Sequence, residues 1–125
     1  MKKKEITLCG KQVVLAYCYA TEIAFRELSD QDITDFLTEA IPQIQESKMP
    51  DAKKVTSLIV ASVLSYSESK GEKAPIQSED IMYRAEAEEI GNALGVIIGL
   101  RAEFYHVPSG ELQDKPADDA EPKND

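Results

Sequence analysis

The hydrophobic pattern of this chain changes period once, near its start. Around Gly10-Lys11 the apolar residues alternate with polar ones as far as Tyr17, and from Thr21 onward they recur at intervals of three and four. A β-hairpin over residues 4–17 therefore hands over directly to helices. A two-residue loop at Gly10-Lys11 would pair Leu8 with Val13 and Ile6 with Leu15 on a buried face, leaving Thr7, Cys9, Gln12 and Val14 on the other. Two strands alone are not stable in water, so the hairpin needs a helical body beneath it.

The helices follow from caps and spacing. Thr21 can cap a short helix, Glu22 to Leu28, and Ser29 with Asp32 resembles an acidic capping box that opens a second. In that second helix Ile33, Phe36, Leu37, Ala40, Ile41 and Ile44 fall on one stripe, and Pro42 should kink or stop it near Ile41. Met49-Pro50-Asp51 leads into a third helix, Ala52 to Lys70, which ends at Gly71. A loop holding Pro75 precedes a short helix capped by Ser78-Glu79-Asp80, and a last helix runs from about Ala87 to His106, with Glu88 and Glu89 at its positive end.

Two of these helices carry apolar or small residues where the pattern does not require them. On the third, Val55, Leu58, Ile59, Ser62, Val63 and Tyr66 share a face at about 100° per residue. Val60 and Leu64 stand on the opposite side, among Lys53, Thr56, Ser57 and Ser67. Either another element covers this pair or it belongs to a docking surface. On the last helix Ile90, Leu94, Ile97, Ile98 and Tyr105 form one face, while Gly91, Gly95 and Gly99 line up at steps of four on another. A glycine costs about 0.8–1 kcal/mol in a helix interior, so three in register imply a close approach. Intrachain packing is the favoured explanation, and a seam between copies of the chain is the other.

Composition narrows the function. The 125 residues are 42% hydrophobic, enough for one domain with a modest core. A net charge of −9 opposes binding to nucleic acid or an anionic membrane and favours a basic partner or simple solubility. Met1-Lys2-Lys3-Lys4 begins like a signal peptide, but Glu5 and then Gly10-Lys11-Gln12 interrupt any apolar core, so a cytoplasmic location is expected. The longest apolar run, Ala93 to Leu100, has 8 residues, against roughly 20 for a spanning helix. After Val107-Pro108 the composition shifts: residues 111–125 hold six acidic side chains, two lysines and only Leu112 as a large apolar one. The expected organisation is a single domain over 1–108, mainly α, with the hairpin packed on a bundle of about four to five helices, and a disordered acidic tail over 109–125.

Reactive chemistry is sparse. Cys9, Cys18 and His106 are too few for a four-ligand Cys/His zinc site, and the thiols are expected to be reduced. His106 has no second histidine or nucleophile to serve, and its imidazole suits the negative end of the last helix. No phosphate loop, nucleophile elbow or HExxH stands in the sequence. Carboxylate clusters at Glu86, Glu88 and Glu89, or at Glu27, Asp30 and Asp32, lie at helix starts where capping accounts for them. No cofactor, metal or catalysis is expected; the residues point to a small acidic protein that acts by binding.

The succession LAYCYATEIAFREL, DITDFL, KKVTSLIVASVLSY and IMYRAEAEEIGNALGVIIGLRAEFYHVP resembles the tail assembly chaperones of long-tailed phages and prophage-like elements. The likeness spans about residues 4–108 and rests on LAY with ATEIAF, on the DI-DF pair and on the GxxxGxxxGLRAxF helix. It implies a protein that coats the tape measure protein, keeps it soluble, recruits tail tube subunits and is absent from the finished virion. Val60, Leu64 and the glycine face are the candidate docking residues. The alternatives are a small regulatory or antitoxin-like protein that neutralises a basic partner, and a minor structural phage component.

Overall fold

A computed structural model describes residues 1–106, and the expected disordered tail lies outside them. Two antiparallel strands, β1 (Lys2–Leu8) and β2 (Lys11–Tyr17), lead into five helices: α1 (Tyr19–Ser29), α2 (Ile33–Gln45), α3 (Ala52–Ser69), α4 (Ser78–Arg84) and α5 (Ala87–Phe104). The protein is mainly helical, and its hairpin lies on α3 and α5. Ile6, Leu8, Val13, Leu15 and Tyr17 from the hairpin join Phe25, Phe36, Leu58, Ile59 and Ile97 in one core.

The hairpin turns one residue earlier than the alternation suggested. Its loop is Cys9-Gly10, with φ of 56° and 75°, and both loop positions are left-handed as a type I′ turn demands. Ile6 faces Val13 and Leu8 faces Lys11, so the expected pairing of Leu8 with Val13 is displaced by two. A slip of two leaves every side chain on its own face, and the predicted burial of Ile6, Leu8, Val13 and Leu15 holds. Contacts from outside the hairpin hold the turn in this register. Cys9 Sγ donates to the Asp80 carbonyl at 3.4 Å, and Lys11 Nζ donates to the Pro75 carbonyl at 3.1 Å.

Thr21 does not cap α1, which begins earlier, after Cys18. It sits inside the first turn, fully buried, and its Oγ1 accepts from the Cys18 amide at 3.2 Å and donates to the Ala16 carbonyl at 3.2 Å. Asp32 caps α2, its carboxylate accepting from the Thr34 amide at 2.8 Å, while Ser29 closes α1 by donating to the Phe25 carbonyl at 2.7 Å. Pro42 does not stop α2, which continues to Gln45. The carbonyl that Pro42 cannot serve is that of Thr38, and both residues are exposed, so water can take the missing bond.

The middle of α3 performs a task its pattern conceals. Ser62 Oγ accepts from the Ala16 amide at 2.9 Å and donates to the Ala16 carbonyl at 2.8 Å. Ala16 lies on β2, so a helix side chain satisfies both backbone groups that a third strand would otherwise bond. Ser65 Oγ stands 2.8 Å from Thr21 Oγ1 and extends this buried polar chain into α1. The outer edge of β2 is thus sealed at Ala16, whereas β1 pairs with a strand on one side only among the described residues.

Candidate functional site

The largest opening among the grooves described here lies between the end of α1, one side of α3 and the start of α4, with a volume of about 670 Å³. Val60 and Leu64 line it with Leu28, Ala52, Thr56 and Met82. Neither expectation for the Val60–Leu64 pair holds alone. Val60 is 9% exposed and belongs to the core, Leu64 is half-buried, and Leu28 and Met82 stand at the rims with 44% and 58% of their surfaces in solvent. The groove therefore has a buried aliphatic floor and open apolar walls. Lys53, Ser57, Gln77 and Ser78 place polar groups along it. Such a trough suits the apolar stripe of a helix, and its flexible methionine can adapt to different side chains.

Local sequence explains why α4 forms one wall. The Gln77 amide donates to the Asp80 carboxylate at 2.8 Å, which starts the helix, and Ile81 is buried while Met82 and Tyr83 turn outward. The two hairpin bonds to Asp80 and Pro75 tie this wall to the turn of the sheet.

The glycine face is a second, separate surface. Intrachain packing does not account for it: Gly91, Gly95 and Gly99 are exposed, and a Cβ added at any of them meets nothing within 4 Å. The physical reason is that Ala93, Leu94, Ile97 and Leu100 carry α5 into the core, which turns the glycines outward. Two grooves flank the stripe. One, of about 440 Å³, holds Lys4, Asn92, Val96 and Glu103; the other, of about 260 Å³, holds Ile44, Met49, Pro50 and Ile98. No residue lines both these grooves and the one beneath Leu64, so the sequence-predicted residues form two sites, not one.

A cluster that sequence reasoning missed closes the domain where its start meets its end. The Tyr17 hydroxyl donates to Glu22 Oε2 at 2.7 Å and the Tyr105 hydroxyl donates to the same oxygen. Burial, then the Glu22 carboxylate, push the Tyr17 phenol far up. The hydrogen bond to Glu22, then burial, push Tyr105 up to about 12. Tyr17 also packs at a tilt against Phe104, with 5.6 Å between ring centroids. The pairing spans 83 positions, and no local spacing could reveal it.

Cys9 and Cys18 are free thiols, and burial, followed by Glu89 and Asp80, raises the pKa of Cys9. Among the described residues no group of three or more His, Cys, Asp or Glu side chains could hold a metal ion, and no helix is long and apolar enough to cross a membrane. No family model matches the chain, and no curated protein or solved structure matches it.

Proposed function

We propose that this protein is a phage tail assembly chaperone whose groove between α1, α3 and α4 receives the apolar stripe of a helical segment of the tape measure protein. The observation that carries the reading is the groove itself: a preformed apolar trough of about 670 Å³ whose rim residues Leu28 and Met82 are exposed. The sequence resemblance over residues 4–108 supplies the partner. A long helical chain with a bare apolar stripe aggregates, and many small acidic proteins laid along it would keep it in solution. One such groove contributes modest affinity, and repetition along the tape supplies avidity while leaving each copy displaceable by tube subunits. On this reading the protein works in the host cytoplasm and leaves before the virion is complete.

Co-expression tests this directly. The chain should convert an insoluble tape measure fragment into a soluble complex carrying several copies per fragment. Leu64→Asp with Met82→Asp should abolish the rescue and keep the helical circular dichroism, because both side chains reach solvent. Val60 is unsuitable for that experiment, since a charge on the floor would unfold the domain. A folded double variant that still solubilises the fragment would move the docking surface elsewhere, and an unmutated chain that binds no tape segment would end the chaperone reading.

A further inference from the structure

The two outer edges of the hairpin are treated differently. Ala16 turns both backbone groups away from β1 toward Ser62, so its cross-strand partner Lys3 turns its own away from β2. By alternation, Glu5 and Thr7 do the same, and the outer edge of β1 presents their amides and carbonyls with no strand paired to them among the described residues. Beside this edge runs the open glycine stripe of α5, and the groove of about 440 Å³ between them is lined by Lys4, Gly91, Gly95 and Gly99. Lys2, Lys3 and Lys4 are exposed, and none of them forms an ion pair among the described residues. These three adjacent lysines form a positive patch, bordered by Glu5 and Glu103, on a chain of net charge −9.

The described chain ends beside that patch. Lys2 pairs with Tyr17, whose ring lies against Phe104 and Tyr105 at the end of α5. From His106, where the described residues end, the five residues to Glu111 can reach about 17 Å at roughly 3.3 Å per residue. The way back along α5 from Phe104 to Gly99 is only about 8 Å at 1.5 Å per residue. Residues 111–125 carry six carboxylates against two lysines, and prolines 116 and 122 leave the proline-free runs 111–115 and 117–121. Each run is long enough to pair across Lys3, Glu5 and Thr7.

We infer that the acidic segment 111–125 of the same chain docks on the open edge of β1, its backbone pairing with Lys3, Glu5 and Thr7 and its carboxylates meeting Lys2–Lys4. The occupied edge can no longer recruit a strand from another copy. This docking is independent of the groove beneath Leu64.

Amide hydrogen exchange on the full chain reads the pairing at single residues. The comparison is a full-length variant with all six carboxylates of the segment neutralised, E111Q, D114N, D118N, D119N, E121Q and D125N. The amides of Lys3, Glu5 and Thr7 should exchange at least ten times faster in that variant, and 0.5 M salt should produce part of the same loss in the unmutated chain. Carbodiimide cross-linking of mixed light and heavy chains should join Lys2–Lys4 to residues 111–125 within one copy. Equal exchange in both proteins overturns the docking. Cross-links that join only light to heavy chains overturn its intramolecular form.

Discussion

Ser62 shows how much one side chain can decide. Its hydroxyl bonds the amide and the carbonyl of Ala16 at once, inside a region shielded from water. Removing it leaves the buried Ala16 amide without a partner, while the Ala16 carbonyl keeps its bond from Thr21 Oγ1, and one such orphaned group costs about 1–3 kcal/mol. Ser62→Ala should therefore lower stability by about 1–3 kcal/mol, seen as a reduced urea midpoint at unchanged slope. Ser69→Ala, which removes a bond on the exposed end of α3, should change it little. Nothing in the sequence separates these two serines. The pattern puts Ser62 on the apolar face of its helix, but only the fold reveals that a strand edge waits opposite.

At the level of elements, the sequence carried the order and kind of every helix, the hairpin and its buried face. It misplaced the turn by one residue, the start of α1 by several, and the effect of Pro42. The first two misses share a cause: bonds to distant residues, such as Cys9 to Asp80 and Thr21 to Ser65, fixed what local propensity left undecided, whereas α2 runs through Pro42 because the carbonyl left unserved is exposed. The candidate site was half legible. Val60 and Leu64 stood out as apolar residues on a polar side, whereas Leu28 and Met82, which complete the walls, look like ordinary surface residues in their own helices.

The glycine stripe gives the element-scale prediction. With nothing within 4 Å of a built Cβ, alanine at 91, 95 and 99 relieves the entropic cost of glycine without a clash. At about 0.5–1 kcal/mol for each position, G91A/G95A/G99A should stabilise the domain by about 1.5–3 kcal/mol in thermal or urea unfolding. A loss of stability would show that the face is packed in solution.

For the whole molecule, closure depends on Glu22 receiving hydroxyls from both Tyr17 and Tyr105. Both phenols ionise later in the folded protein than in the unfolded chain, where tyrosine titrates near 10. A raised folded value means that this contribution is complete below pH 10 and is lost as pH climbs through about 12, because the unfolded state releases its protons first. Urea midpoints measured from pH 8 to 12 should hold until about 10 and then fall. Tyr105→Phe should start from a lower plateau and show a shallower decline, and an equally steep decline in that variant would remove Tyr105 from the cause.

The turn of the hairpin is fastened to the wall of the groove, by Cys9 to the Asp80 carbonyl and by Lys11 to the Pro75 carbonyl. Anything that pushes α4 outward to admit a thicker helix must stretch those two bonds, so the width of the trough and the looseness of the turn are one mechanical variable. The thiol of Cys9 is half-buried while the tether is fastened. Its rate of alkylation thus acts as a strain gauge for the groove, readable behind the α4 wall with no label in the trough itself.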